Sequence, residues 1–271
     1  MYGGMKIYMD KLIIPRMDLV VTTKCSLRCE GCANLMQYYE NPLDVDIEVI
    51  YKSMGKLLSV ADSIGRVFVL GGEPFVYKQL DKVLAFLSNY KNIDEIIVVT
   101  NGTICPLKDS EKLWGTLQHP KVTIRISDYG DLSRNIDVLI EYCKKKNVAY
   151  IREEKGHFYD VGNMIRRNRT EEELNTVFKD CGTKCRSLFN GKFYFCPREA
   201  HGIDLGLVPK IDDEYVDLMA EVTDEVIKER IYNFINRKRY IEACDFCDIR
   251  TPGYYDRKLP LAKQAKHVLY V

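Results

Sequence analysis

The sequence predicts an α/β fold in which short strands alternate with amphipathic helices around a parallel sheet. Five runs rich in β-branched residues recur along the chain. Between them, apolar residues recur three and four positions apart, the spacing of one helix face. The predicted strands are DLVVTT (18–23), RVFVL (66–70), EIIVVT (95–100), KVTIRIS (121–127) and VAYIRE (148–153).

The helical segments lie at 46–61, 77–90 and 133–146. Together with the strands they make five strand–helix units before residue 181, and the pattern places no sixth strand. In barrels built from such units, functional residues lie at the carboxyl ends of the strands. The strand ends here carry cysteine, Gly-rich or polar residues, so we expect the site at this rim.

Composition excludes several classes of protein. A chain of 271 residues can bury its core without disulfides, so its ten cysteines suit a reducing cytoplasm. No apolar run approaches the roughly 18–20 residues of a membrane span. The formal charge of +1 indicates no bulk attraction to nucleic acid. The basic runs at 165–169 and 236–240 are typical of solvated helix faces.

Cys25, Cys29 and Cys32 follow the first strand within eight positions. A structural zinc site takes four protein ligands, usually as two separated CxxC pairs, and here no fourth ligand follows nearby. Three cysteines around a four-iron cluster leave one iron open to an exogenous ligand. The spacing therefore favours an iron–sulfur cluster over structural zinc.

Cys25-x3-Cys29-x2-Cys32 after the first strand, with GGEP (71–74) after the second, resembles the radical S-adenosylmethionine (SAM) superfamily. The resemblance implies a partial (β/α)6 barrel and a [4Fe-4S] cluster whose open iron binds SAM. It also implies reductive cleavage of SAM to a 5′-deoxyadenosyl radical, driven by a flavodoxin or ferredoxin-type electron donor.

The resemblance also gives candidate contacts to SAM. Gly71 and Gly72 let the backbone approach a ligand closely, and Glu73 suits the SAM ammonium group or its hydrogen-bond network. Ser127 matches the family's fourth strand, and strand alternation places it on one face with Arg125. Asn101 ends the third strand and is a further candidate, although TNG also reads as a turn.

One departure from the family pattern is Gly31, which stands where an aromatic residue usually precedes the last cysteine. Tyr38 and Tyr39 are the candidates to replace its contact with adenine. His157 and Tyr159 lie in a Gly-containing loop near the rim, where substrate contact is one option and an ordinary loop the other.

A second cysteine set follows the barrel. Asn190-Gly191 predicts a two-residue hairpin that pairs Phe189 with Lys192, and this register places Cys185 opposite Cys196. Cys244 and Cys247 supply a second pair. Taken alone, four such cysteines would favour structural zinc.

The segment 181–247 is similar to the shortened SPASM, or twitch, domain, which implies an auxiliary [4Fe-4S] cluster instead of zinc. Family spacing favours Cys181 as a ligand and hairpin geometry favours Cys185; we expect Cys185. The predicted organisation is a radical SAM barrel over residues 1–180 and a small twitch-like α+β domain over 181–271.

The predicted function is a cytoplasmic radical SAM oxidoreductase. Only sixteen residues precede the first strand segment at Met17, too few for the leader-binding domain of many peptide-modifying relatives. The compact barrel with one auxiliary cluster most resembles members that oxidise an aminocyclitol alcohol, so we expect dehydrogenation of a sugar, cyclitol or polyol. Peptide maturation, carbohydrate epimerisation and a non-enzymatic zinc-binding module are the alternatives. No catalytic residue is assigned.

Overall fold

Five parallel strands form the larger part of one eight-stranded sheet. The structure is a computed structural model that describes residues 11–106, 110–154, 156–181 and 185–268. Of the sixteen residues that precede Met17, residues 1–10 lie outside this range. The parallel strands are β1 (Ile13–Thr22), β2 (Ser63–Gly71), β3 (Ile93–Thr100), β4 (Val122–Asp128) and β5 (Ala149–Glu154), in the sheet order β5-β4-β3-β2-β1.

All five predicted strands are confirmed, but β1 and β2 begin earlier than predicted. Pro15 argues against a strand because it cannot donate to a ladder. In the structure the ladder runs from Ile14 to Arg16 past Pro15, and a side chain on Gly65 of β2 would collide with the Pro15 carbonyl. The glycine therefore makes room for the proline within the sheet.

Helices connect successive strands and bury their apolar faces on the sheet. The three predicted helices are confirmed, and α1 begins after Asp46, whose side chain accepts a hydrogen bond from the Glu48 amide. The other four were not predicted; α3, for example, is too short to show a period. The helices are α1 (Ile47–Val60), α2 (Leu80–Ser88), α3 (Glu111–Leu117), α4 (Ile136–Lys146), α5 (Glu171–Asp180), α6 (Pro197–Asp204) and α7 (Asp224–Ile235).

At the far edge of the sheet, β5 has β4 as its one strand neighbour among the described residues. Its side chains are largely exposed, Ile151 by 53%. The described chain therefore contains five strands of the six-stranded barrel that the resemblance implied. The fold class, a mixed α/β fold with a mostly parallel sheet, is confirmed.

The C-terminal part extends the sheet on the other side of β1. The first of its strands runs parallel to β1, and the Asn190-Gly191 turn then pairs Phe189 with Lys192, as predicted. Both turn residues have positive φ, 46° and 78°. The remaining strands are β6 (Phe158–Tyr159), β7 (Arg186–Phe189), β8 (Lys192–Tyr194), β9 (Tyr215–Asp217) and β10 (Lys258–Leu259), of which β6 and β10 form a separate pair.

Neither basic run is a helix face, and that prediction was wrong. Residues 236–240 follow the end of α7 at Ile235. Residues 165–169 lie in a loop, where Arg167 and Arg169 both bind the Asp248 carboxylate. Among the described residues, no helix is both long enough and apolar enough to cross a membrane.

Candidate functional site

The three cysteines after β1 line one cavity of about 430 Å³ at the carboxyl ends of the parallel strands. We call it the first cavity. Their segment is folded by the Cys32 amide, which donates to the Cys29 carbonyl at 3.1 Å, and by the Leu35 amide, which donates to the Cys32 carbonyl at 3.1 Å. These turns, rather than a helix or strand, bring the thiols together.

Each thiol is desolvated and lies near N–H donors. Burial raises the pKa of Cys25 to about 12 and that of Cys29 to about 11. The Leu27 amide donates to Cys25 Sγ at 3.5 Å, and Gln264 Nε2 to Cys29 Sγ at 3.3 Å. Donors of this kind stabilise thiolates bound to a cluster and tune its potential. The set therefore fits a cysteine-ligated cluster.

Gly71 and Gly72 allow β2 to meet the cysteine segment closely. A side chain on Gly71 would overlap the Thr22 carbonyl oxygen, and one on Gly72 would overlap the Lys24 carbonyl oxygen and crowd Cys25. The Gly72 amide donates to Thr22 at 2.9 Å. Both glycines also line the first cavity. They therefore allow two close approaches, one between β2 and the backbone of the cysteine segment and one between β2 and the space of the cavity.

Glu73 is fully buried and lies behind the cavity wall. Its carboxylate accepts hydrogen bonds from the Phe75 amide at 3.1 Å, the Thr100 hydroxyl at 3.0 Å and the Asn101 amide at 2.8 Å. Burial raises the pKa of Glu73 to about 7, although the hydrogen bonds from the three donors act to lower it. In this geometry Glu73 ties the end of β2 to the end of β3.

Asn101 lines the first cavity and connects Glu73 to the cysteine segment. Its side-chain amide donates to the Ser26 hydroxyl at 3.1 Å and lies 3.7 Å from Cys25 Sγ. The next residue, Gly102, has a φ of 71°, which is a turn conformation. Asn101 therefore lines the cavity and also begins a turn. Ser127 lines the same cavity from β4, beside Tyr129.

The space beside Gly31 is occupied by another part of the chain. A side chain there would contact Leu259 and Phe158, and Phe158 lines the first cavity. Tyr38 and Tyr39 do not line it. Tyr39 instead donates to Asp204 at 2.9 Å and contacts His201 Nδ1 at 2.8 Å. The proposed replacement of the aromatic contact by Tyr38 or Tyr39 was therefore wrong.

His157 and Tyr159 both line the first cavity, with their rings edge to face and the centroids 4.8 Å apart. His157 Nε2 is buried and has no hydrogen-bond partner among the described residues. The His157 ring thus lines the cavity with one nitrogen whose hydrogen bond no described residue supplies.

A second cavity of about 240 Å³ is lined by five cysteines. The β7–β8 ladder ends at Ser187 and Tyr194, so the predicted register stops before the cysteines that flank the hairpin. Burial raises the pKa of Cys244 to about 12. The five are Cys181, Cys185, Cys196, Cys244 and Cys247.

Ala33, Asn34 and Leu70 line both cavities. The two cysteine sets therefore lie on either side of a wall that is one layer of side chains thick. Arg16, Asp18 and Arg198 complete the polar lining of the second cavity.

The CDFC segment (244–247) is held by the loop that contains the basic run at 165–169. Arg169 Nη1 donates to the carbonyl oxygens of Cys244 and Cys247, each at 2.9 Å. The Asp245 carboxylate accepts from the backbone amides of Asn168 at 3.1 Å and Arg169 at 2.9 Å. This loop therefore positions two of the five thiols.

A family model described as the Radical SAM superfamily matches residues 19–126. This part of the chain is a radical SAM domain. The match runs from the last residues of β1 into β4 and includes Cys25, Cys29 and Cys32. The predicted resemblance to the radical SAM superfamily is confirmed for this part of the chain, and the match supports an enzyme with a 4Fe-4S cluster and SAM as cofactors.

Curated relatives of the radical SAM domain include GTP 3′,8-cyclases. The Clostridium acetobutylicum protein is 28% identical over 151 residues, which cover 51% of this chain and 46% of that protein. The Heliobacterium modesticaldum protein is 34% identical over 94 residues, 34% of this chain and 28% of that protein. The chain thus matches less than half the length of these relatives.

Two solved structures share the fold over most of the chain. BtrN, crystallised with AdoMet and 2-DOIA, superposes with a TM-score of 0.57 at 17% identity and covers 96% of this chain and 100% of BtrN. The anSMEcpe structure with bound AdoMet gives 0.53 at 14% identity and 84% of each chain. At these identities the likeness is one of fold.

Several residues of the radical SAM site were not predicted from the sequence. Tyr129 and Phe158 line the first cavity beside predicted residues, and their neighbours in sequence could have indicated them. Gln264, which donates to Cys29, and Tyr254 lie more than 200 residues from the cysteine segment. No local signal marks these two.

Proposed function

We propose that this radical SAM enzyme oxidises an alcohol carbon of a sugar, cyclitol or polyol to a ketone, with an auxiliary iron–sulfur cluster in the second cavity. The observation that carries the proposal is the shared wall of Ala33, Asn34 and Leu70. A dehydrogenation needs an electron acceptor beside the radical site. A cysteine set one layer away from the first cavity suits that need.

The cysteine set of the second cavity favours a cluster over a single metal ion. A zinc ion holds its thiolates at about 2.3 Å and so draws them to one point. Across the described parts of the chain, no three His, Cys, Asp or Glu side chains converge in that way. Five cysteines spread around 240 Å³ suit a larger cofactor with four cysteine ligands.

Cys25, Cys29 and Cys32 would hold the cluster that, with SAM, supplies a 5′-deoxyadenosyl radical for hydrogen abstraction from the carbinol carbon. The second cysteine set would hold the cluster that accepts the remaining electron. Loss of the hydrogen atom, of that electron and of the hydroxyl proton, which passes to a base, would give the ketone. His157 Nε2 is our candidate for that base, because it is unpartnered and its ring lines the cavity. A flavodoxin or ferredoxin-type protein would supply the initiating electron.

The lining of the first cavity suits a ligand with several hydroxyl groups. Asn34, Asn101, Ser127 and Tyr129 add hydrogen-bonding groups around the cysteines. The fold likeness to BtrN, whose structure holds 2-DOIA, supports the same substrate class. The sequence resemblance to members that oxidise an aminocyclitol alcohol supports it as well.

The GTP 3′,8-cyclase relatives make a nucleotide the second candidate substrate. Peptide maturation and carbohydrate epimerisation are further alternatives. Epimerisation returns a hydrogen atom to the substrate and needs no electron acceptor, so it leaves the second cavity without a redox role.

The test is hydrogen transfer from a labelled substrate. We would incubate the anaerobically reconstituted enzyme with SAM, a low-potential reductant and a panel of polyols, aminocyclitols, GTP and peptides. We expect deuterium from the carbinol carbon in 5′-deoxyadenosine, and a product about two mass units lighter than an unlabelled polyol.

Two variants serve as controls. Replacement of Cys25, Cys29 and Cys32 by alanine should abolish SAM cleavage. His157→Gln should retain deuterium transfer while ketone formation slows by about 10²-fold or more. Turnover on peptide or GTP alone, or a polyol product of unchanged mass, would contradict the proposal.

A further inference from the structure

Arg198 is a buried cation on the wall of the second cavity, only 2% exposed. It is the second residue of α6, directly after Cys196 and Pro197. Its Nη2 atom donates to the carbonyl oxygen of Phe246 at 2.7 Å and to that of Gly162 at 3.0 Å. These bonds fix the guanidinium between the loops on either side of it.

The other side of the guanidinium has no partner. Nε and Nη1 are buried and make no hydrogen bond to any described residue. No carboxylate within the described ranges forms an ion pair with Arg198, whereas Arg16, the other arginine of this cavity, lies 3.4 Å from Asp18. An unpaired buried charge is strongly destabilising, so this donor set calls for an anionic partner.

We propose that Arg198 donates hydrogen bonds from Nε and Nη1 to sulfur atoms of the auxiliary cluster and raises the reduction potential of that cluster. This inference rests on the proposed function. A thiolate-ligated cluster carries net negative charge that grows by one on reduction, and a fixed cation with N–H donors stabilises the reduced form more. Arg198 is thus a positioning and tuning residue that makes the cluster a better acceptor for the substrate electron.

The experiment is a potentiometric titration of the reconstituted holoenzyme, followed by electron paramagnetic resonance. The variant without Cys25, Cys29 and Cys32 assigns the signal of the auxiliary cluster. In Arg198→Met we expect the ratio of reduced to oxidised auxiliary cluster at a fixed potential to fall about tenfold, a shift of about 59 mV for a one-electron couple. Arg198→Lys keeps the positive charge but loses the planar set of guanidinium N–H donors, so we expect a smaller shift in the reduction potential.

Arg237→Met is the matched control. Arg237 is also largely buried, with an unpartnered Nε, but it lines neither cysteine cavity. In Arg237→Met we expect no change in the reduction potential of the auxiliary cluster. An equal shift in both variants would overturn the assignment to Arg198.

A second measurement needs no variant. In wild-type enzyme labelled with ¹⁵N-arginine, we expect ¹⁵N hyperfine coupling at the reduced auxiliary cluster, and its absence overturns the proposal even if Arg198→Met fails to load iron. Wild-type iron near four per chain would overturn the auxiliary cluster together with the role of Arg198. Iron near eight with an unchanged potential in Arg198→Met would overturn the role of Arg198 alone.

Discussion

Glu73 shows how a single buried residue organises the radical SAM site. Its carboxylate binds the Asn101 amide at 2.8 Å, and the Asn101 side chain reaches toward Cys25. Glu73 therefore acts on the first cavity through Asn101. Three buried donors, the amides of Phe75 and Asn101 and the hydroxyl of Thr100, bind this carboxylate where water cannot reach them.

We expect both Glu73→Ala and Glu73→Gln to weaken SAM binding about tenfold. Either change leaves buried donors unpaired, at a cost of roughly 1–3 kcal/mol, and lets Asn101 move. Equilibrium dialysis of SAM against reconstituted protein measures the effect. Glu95→Gln, an exposed change on β3, is the control. Wild-type affinity in both Glu73 variants would contradict the role.

At the scale of elements, the loop before α5 determines where the CDFC segment lies. Arg169 binds two of its carbonyl oxygens and the Asp248 carboxylate, and is itself largely buried. Removing this side chain leaves these acceptors without their shared donor. The loop is therefore part of the second cysteine site, although it contributes no cysteine.

Arg169→Ala should reduce iron in the second cavity and spare the first. Because Cys244 and Cys247 lose their anchor, we expect the auxiliary iron to fall by half or more after reconstitution, with SAM cleavage retained. Iron assay and 5′-deoxyadenosine release report the two sites separately. Arg239→Ala, at an exposed arginine that pairs with Glu171 at 3.5 Å, is the matched control. Equal iron in the two variants would contradict the anchor.

At the scale of the whole molecule, the sheet places the two cysteine sets side by side. Because β7 pairs with β1, the hairpin that carries Cys185 and Cys196 lies next to the strand that leads to Cys25. The predicted division at residue 180 stays a prediction. The sheet itself continues from β1 into β7 across that boundary.

Iron content tests the two-site arrangement. We expect about eight irons per chain, and about four in the variant with alanine at Cys25, Cys29 and Cys32. Cys185→Ala should also lower iron to about four, whereas Cys181→Ala should retain it. Cys143→Ala, at a core cysteine on α4 that lines neither cavity, controls for loss of a buried thiol. Four irons with added zinc in wild type would argue for structural zinc.

Local sequence patterns were sufficient to predict the family and the order of the parallel strands. Strand alternation, helix period and turn chemistry are local, so the five parallel strands and the Asn190-Gly191 hairpin followed from spacing alone. The cysteine motif was also local, and it indicated the cluster and SAM before any fold was known. Pro15 hid the start of β1 and α3 was too short to predict, but neither changed the topology.

The surroundings of the cysteines depend on contacts between segments that are far apart in sequence. Phe158 reaches the space beside Gly31, and Gln264 contacts Cys29 from 235 positions away. No sequence pattern marked Arg198, and its unpartnered donors exist only because the loops around Gly162 and Phe246 bury it. Periodicity and spacing report which residues share a strand or helix, whereas the chemistry of this site depends on which distant segments meet around it.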